Sequence, residues 1–325
     1  MLEAEVLYLS QEDVKAANVS MSEVCDAVEA AFKDQGNGLA TMPAKSRLSP
    51  DASRYYSAMP AVLPGLGIAS VKWNAIFSGN PARGLPFVTG LLILNDDETG
   101  LPISVMDANW ITAKRTGAAS AVTARHLLAG QPERVGIYGC GVQGRTHAEA
   151  LRAVFPSMRA IQAYDPSPPA LASYVAEVER AQGIQVVPAS TPREAISGCQ
   201  LVITATPTTV RSEVLERDWL EPGQVIVSID YDCYWTPGAL GRLNAVFTDD
   251  LAQFEKSREY GGYYRHLHAT PRELPKLLAG HCEGRTGPEQ VIAAFNSGIA
   301  VEDAATAHLV YRAATSSGIG TRLPL

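Results

Sequence analysis

The chain has little that would place it in a membrane, outside the cell or on a nucleic acid. Apolar runs such as Leu91–Leu94 are far shorter than the ~20 residues a bilayer-spanning helix needs. The opening Met-Leu-Glu-Ala-Glu-Val has neither a basic region nor an apolar stretch, so no signal peptide is expected. Lysine and arginine total 27 against 34 acids, a net charge of −7. With no concentrated basic patch, nucleic acid is excluded as a main partner. Cysteine is sparse: Cys25, Cys140, Cys199, Cys233 and Cys282 form an odd, scattered set that gives no disulfide framework and points to a reducing cytoplasm. There is no CxxC, HExxH or EF-hand loop. His266-Leu-His268 would put two imidazoles on one strand face, but a tyrosine-rich loop (Tyr260, Tyr263, Tyr264) with incidental histidines is the plainer reading, and no metal is predicted. Internal repeats and low-complexity segments are absent as well.

What is present is an ordinary core-forming composition. The 325 residues suggest about two domains, and 46% hydrophobic against 19% charged residues suffices for a sizeable interior. Apolar positions Val24, Ala27, Val28, Ala31 and Phe32 have helical spacing, with Ser20 or Ser22 as cap. Tyr55–Pro60, Gly67–Trp73 and Val88–Leu94 read as strands. Asp96–Gly100 reads as a hairpin turn and Leu101–Met106 as its return strand. An alanine-faced helix from Ile111 to Leu128 follows. Strands are then expected at Arg134–Tyr138, Ala160–Tyr164, Ile184–Val187, Leu201–Thr206 and Val225–Ile229, with helices between them, notably 167–182 and 192–198. This alternation implies a doubly wound parallel sheet. Beyond Asp250 the pattern turns helical, ending in a long helix from about Val301 to Ala314.

The densest local signal is Arg134-Val-Gly-Ile-Tyr-Gly-Cys-Gly-Val-Gln-Gly144, a strand running into Gly139-x-Gly141-x-x-Gly144 and a helix. Gly139 permits the tight turn, Gly141 lets phosphates approach the backbone, and Gly144 lets the helix pack on its strand. A helix N-terminus there favours a pyrophosphate. Asp165 ends the second strand about 20 residues on, where a carboxylate accepts hydrogen bonds from an adenosine ribose and repels a 2′-phosphate. The strand, loop, helix and acid together predict a dinucleotide, with NAD favoured over NADP; the nearby Arg145 keeps NADP as the alternative.

The segment Val105-Met-Asp-Ala-Asn-Trp-Ile-Thr-Ala-Lys-Arg-Thr-Gly-Ala-Ala-Ser120 closely resembles the signature of the ornithine cyclodeaminase/mu-crystallin family. Further matching blocks are Met42-Pro-Ala-Lys45, Ala58-Met-Pro60, Val71-Lys-Trp73, Asn80 with Gly84-Leu-Pro86, and Phe295-Asn-Ser-Gly298 with Glu302-Asp303. The resemblance implies a Rossmann domain plus a second α+β domain for substrate binding and dimerisation. The latter spans 1–115 with 305–325, the NAD-binding domain 116–304, and the whole forms a homodimer. It also implies hydride movement at the Cα of a small amino or imino acid. Lys72 and Arg115 match carboxylate-binding positions, with Lys45 able to join them. Asp230, after the strand Val225–Ile229, matches the catalytic aspartate, and Lys72 is a second catalytic candidate. The implied cofactor contacts are Arg115, Thr116, Gly139, Gly141, Val142, Gln143, Gly144, Asp165, Thr206 and Ser297, with Thr89 a weaker candidate near the nicotinamide.

The residue chemistry agrees. An arginine fork holds a carboxylate bidentately. Lys72 lies in an otherwise apolar strand, where an unpaired charge is costly. A carboxylate at Asp230 can take a proton from a substrate ammonium. Arg54 is a further cation, with a solvated surface role equally open, and Asp232 is a rival for the base. The chain departs from ornithine-cyclizing members after Asp230: Tyr231-Asp-Cys-Tyr-Trp235 replaces their Cys-Pro-Gly-Lys. The aromatics either wall a pocket for a less polar or cyclic substrate or fill core. Three functions follow in order: an NAD(P)-dependent amino-acid dehydrogenase or imine reductase, a cyclodeaminase that recycles NAD and releases ammonia, and a mu-crystallin-like small-ligand binder. Asp230 speaks against the last.

Overall fold

The computed structural model describes residues 5–51, 53–208 and 211–325. The chain forms two compact units. One holds the chain up to Arg115 and again from Ile299 to Leu325; the other is Thr116–Gly298. The return to the first unit begins at Ile299, earlier than the expected residue 305, because the closing helix already starts at Ala300.

The first unit begins with β1 (Glu5–Leu9), α1 (Gln11–Ala16) and α2 (Met21–Gly36). Ser20, not Ser22, caps α2: its hydroxyl accepts from Glu23 N while the Glu23 carboxylate takes the Ser20 N–H, a reciprocal capping box. Then come β2 (Ser46–Asp51), β3 (Arg54–Leu63), β4 (Ile68–Phe77), β5 (Val88–Asp96) and β6 (Pro102–Asp107), followed by α3 (Asn109–Leu127), inside which the division between the units falls. The expected hairpin turn is present. Gly100, at φ 71°, closes it onto the Asp96 carbonyl, and Asp96 accepts from Thr99 N.

The second unit alternates at first and then runs three strands in succession: β7 (Arg134–Tyr138), α4 (Val142–Val154), β8 (Ala160–Tyr164), α5 (Pro168–Gln182), β9 (Gln185–Pro188), β10 (Leu201–Thr204) and β11 (Val225–Ser228). It continues through α6 (Pro237–Leu240), β12 (Ala245–Thr248), α7 (Leu251–Gly261), β13 (Arg272–Glu273), α8 (Leu274–Leu278) and β14 (Ile292–Phe295). The parallel sheet runs β13-β12-β14-β11-β10-β7-β8-β9. The chain moves outward from β7 through β8 to β9, then returns to place β10 on the other side of β7. That reversal opens a crevice at the carboxyl ends of β7 and β10, where open α/β sheets bind ligands.

Two expectations fail here. Residues 192–198 form turns, not a helix. Side chains claim their carbonyls: Gln162 Nε2 donates to Glu194 O and Ser197 O, Gln224 Nε2 to Ile196 O, and Tyr138 OH to Pro192 O. The second is that the expected strands end at β11: β12 and β13 were not foreseen, nor was β14, which inserts between β11 and β12. Its four apolar residues are buried on both faces and so lack the alternation that marks a half-exposed strand.

After the second unit, α9 (Ala300–Ser317) and β15 (Thr321–Pro324) complete the first. Its sheet runs β15-β1-β6-β5-β4-β3-β2. The α9 helix packs on α2 and on the inner face of β3, β4 and β5. Along β4 the burial alternates, so Lys72 faces inward with Ile68, Ser70, Asn74 and Ile76, while Trp73 faces outward. No helix among the described residues is long and apolar enough to cross a membrane.

Candidate functional site

The glycine turn has the shape its sequence implied. Gly139 takes φ 93°, and a Cβ there would collide with the Ala205 carbonyl. A Cβ on Gly144 would strike the Gly139 carbonyl and crowd Tyr174. At Gly141 an added carbon meets nothing, so the space over the loop is open. Gly141 caps α4 without a side-chain acceptor, and Val142 beside it is exposed. Backbone N–H groups facing open space suit a pyrophosphate. Gln143 is half-buried and its carbonyl accepts from Thr146.

Asp165 lies where the ribose acid was expected, but its carboxylate also serves the local fold. Oδ2 accepts from Cys140 N at 2.9 Å and Oδ1 from Ser167 N at 2.9 Å. Arg145 is committed elsewhere: its Nε lies 2.7 Å from Glu177 Oε2 and it donates to Ser173 and to the Cys140 carbonyl. The cation that kept NADP open is therefore engaged by an acid.

Asp230 follows β11 and is fully buried. Oδ1 accepts from Thr204 Oγ1 at 2.6 Å, and Oδ2 from Thr206 N at 3.0 Å and Thr206 Oγ1 at 2.6 Å. Burial pushes its pKa up, against the pull of these donors, which favour the anion. The result is a carboxyl group that holds its proton better than an ordinary aspartate. Thr206 thus turns both its donors toward Asp230, a use the sequence reading did not foresee. Asp232, the rival, is buried and tied off: Arg211 NH2 lies 3.0 Å from Oδ1, and Tyr264 N donates to Oδ2 at 2.8 Å. It holds the turns around Asp230 together instead of offering a base. Tyr231 between them sits at φ 57°, held by stacking on Tyr263 with ring centroids 4.1 Å apart.

The cations of the first unit are not isolated. Lys72 is fully buried, its Nζ 2.7 Å from Asp303 Oδ1 and 3.3 Å from Thr112 Oγ1. Arg115 NH1 lies 2.7 Å from Glu302 Oε2, and its Nε 3.0 Å from Asp303 Oδ1. Two cations are thus matched by two acids from the start of α9. Burial pushes the Lys72 ammonium down to about 8; Arg115 adds to this, while Asp303 and Glu302 oppose it. Glu302 and Asp303 were visible as a matching block, but not as partners. Their signal is placement: adjacent acids among Val301, Ala304 and Ala305 in a helix too apolar to face water.

The remaining candidates are spread over both units. Lys45 is half-buried just before β2. Arg54 is exposed and pairs with Asp51 at 2.6 Å, which makes it a surface cation. Thr89 lies on the outer face of β5, opposite the face that carries Lys72. Thr116 is buried at the start of the second unit. Ser297 is half-buried, and Gly298 N donates to Asp249 Oδ2 at 2.6 Å. Behind Asp230 stand three groups the sequence reading missed as a set: Thr204, Ser228 and Trp235. Strand register could have found the first two, since Thr204 and Ser228 are directly paired on β10 and β11.

The sequence model of the ornithine cyclodeaminase/mu-crystallin family matches residues 4–318. The chain belongs to that family. It is 35% identical over 332 residues to an alanine dehydrogenase of Archaeoglobus fulgidus, covering 98% of each chain. It superimposes on an archaeal alanine dehydrogenase dimer with bound NAD at a TM-score of 0.88, with 33% identity, covering 99% of this chain and 100% of that one. Against Thermococcus litoralis Δ1-pyrroline-2-carboxylate reductase in complex with NADH and L-proline the TM-score is 0.86, with 29% identity, covering 97% and 99%. Within the family frame, the aromatic segment after Asp230 is core. Trp235 is 1% exposed and tilts against Phe295, and Tyr234 packs on Tyr138 at 4.6 Å. No pocket wall is built from these two side chains.

Proposed function

We propose that this protein is an NAD-dependent enzyme that oxidises the Cα–N bond of a small α-amino acid or reduces the matching imino acid. The observation that carries the reading is the buried Asp230 carboxyl, raised in its proton affinity, at the carboxyl end of the strand next to β10 and the glycine turn. The relatives act on alanine and on a cyclic imine related to proline, which sets the size of the substrate.

The residues present fit NAD. Gly139, Gly141, Val142, Gln143 and Gly144 would hold its pyrophosphate, Asp165 its ribose, and Ser297 and Thr116 further parts. Arg145, paired with Glu177, leaves little to attract a 2′-phosphate. When bound, NAD supplies the two-electron acceptor or donor. The chain's own residues do the rest. Lys45 and Arg115 hold the substrate carboxylate, with Arg115 kept in one orientation by Glu302 and Asp303. Lys72, pushed down to about 8, can exchange a proton near neutrality. Asp230 accepts the ammonium proton in oxidation and returns it to nitrogen in reduction.

The test is a panel of small L-amino acids and cyclic imines with NAD(H) and NADP(H), following absorbance at 340 nm and ammonia together. Net NADH change with NAD preferred is the expected result. Ammonia release from ornithine without net NADH would establish the cyclodeaminase instead, and inactivity with a tight ligand would establish a binding protein.

The same reading makes the protein a homodimer through the outer face of the β2–β6 sheet. Trp73 and Leu91 are 45% and 47% exposed there, and Tyr56 stacks on Trp73 at 5.6 Å. Contiguous exposed apolar surface of this kind marks an interaction site, and the archaeal relative is a dimer. Leu91→Glu is expected to shift the protein from dimer to monomer, as measured by light scattering on a sizing column. A wild-type monomer would refute the assignment.

A further inference from the structure

We infer that Thr206 is a catalytic residue: its hydroxyl relays the proton between the substrate nitrogen and the buried Asp230. The inference rests on the reading of Asp230 as the base.

Asp230 has no exposed surface, whereas Thr206 is half-buried. A Cβ on Gly139 would lie 3.4 Å from Thr206 N, which places Thr206 at the crevice between the ends of β7 and β10. Its Oγ1 is 2.6 Å from Asp230 Oδ2, the length of a charge-assisted O–H···O⁻ bond. While that hydrogen points inward, the oxygen's lone pairs remain to accept from a substrate ammonium.

The interior side of Asp230 provides no other exit. Trp235 Nε1 is 2.9 Å from Ser228 Oγ, Ser228 Oγ is 2.9 Å from Thr204 Oγ1, and Thr204 Oγ1 is 2.6 Å from Asp230 Oδ1. An indole N–H can only donate. The ionised Asp230 carboxylate can only accept, so it takes the single hydroxyl hydrogen of Thr204; Thr204 Oγ1 then accepts from Ser228, and Ser228 Oγ accepts from Trp235. Every hydrogen points at the carboxylate, and the far end cannot accept one. This gives the aromatic segment after Asp230 a use: Trp235 is the donor-only group that closes the inner route.

The step balances without a further reactant. In oxidation the ammonium N–H bond breaks and its proton binds Thr206 Oγ1 as that oxygen's own proton passes to Asp230 Oδ2. The substrate is left as a neutral amine, the threonine is unchanged and the carboxyl is protonated. Reduction runs the same transfers in reverse.

Two variants test this: Thr206→Val, which keeps the shape and removes the hydroxyl, and Thr206→Ser, which restores it. L-alanine and L-proline with NAD are the probes. Thr206→Val is expected to lower kcat by about 10²-fold or more with NADH affinity within a few-fold of wild type, while Thr206→Ser recovers most of the rate. In the cofactor-free protein, ¹³C NMR of the Asp230 carboxyl should show its titration moved upward by Thr206→Val, since a donor to the anion is lost. If valine does not fold there, Thr206→Ala carries the same expectation. Full activity in Thr206→Val alongside an inactive Asp230→Asn would overturn the relay and leave Asp230 acting directly. Loss of NADH binding in Thr206→Val would also overturn it, making Thr206 a cofactor contact. Full activity in Asp230→Asn would remove the base reading itself.

Discussion

Asp230→Asn is expected to lower kcat/KM by two to four orders of magnitude, the usual worth of a positioned acid–base group, while NADH affinity stays within a few-fold. Asparagine keeps the shape: its carbonyl can accept from Thr206 while its amide NH2 donates to a turned Thr204 hydroxyl, so folding should survive. The pH profile gives a sharper check. Burial raises the Asp230 proton affinity. Amine oxidation needs the carboxylate, so its rate should climb with pH until the raised value is passed and then level off. Imine reduction needs the acid, so its rate should fall above the same point. The two limbs should cross at one pH and both vanish in the asparagine variant. A profile in which they persist would assign the titration to another group.

Lys72→Met carries the second large effect, on stability. It removes the cation 2.7 Å from Asp303 and leaves the two buried acids beside Arg115 one positive charge short. Breaking a buried pair from one side costs about 3–5 kcal/mol, because the stranded charge stays desolvated. For a protein of this size that lowers Tm by about 5 °C or more. The double variant Lys72→Met/Asp303→Leu should recover most of the loss, since Arg115 and Glu302 then balance. Calorimetry on the two proteins decides it. If the double variant is no more stable than the single one, Lys72 and Asp303 do not act as a pair.

The glycine turn was legible because each glycine answers a local steric demand, and those demands reappear as collisions at Gly139 and Gly144. The helix α2 was legible through its apolar spacing and capping serine. The strand β14 was not, since four residues buried on both faces carry no period. The 192–198 segment reads as a helix only from its place between two strands; it forms turns whose Glu194, Ile196 and Ser197 carbonyls accept from the distant Gln162 and Gln224.

The site divides in the same way. Asp230, Lys72 and Arg115 could be named from motifs, but not the company they keep. That Lys72 shares Asp303 with Arg115 depends on residues 231 and 188 positions away along the chain. That Asp232 is a tether depends on Arg211 reaching it from another turn.

Sequence alone determined the chemistry available: a dinucleotide loop, a buried acid after a central strand and cations in an apolar setting, since these are written in residue types at short spacing. Tertiary structure decided how each group is charged and which way its hydrogens point. Long-range packing brings Glu302 and Asp303 to the cations, buries Asp230 enough to raise its proton affinity, and sets Trp235 at the blind end of a chain of donors. Desolvation and hydrogen-bond direction are properties of the folded neighbourhood, and no stretch of sequence contains them.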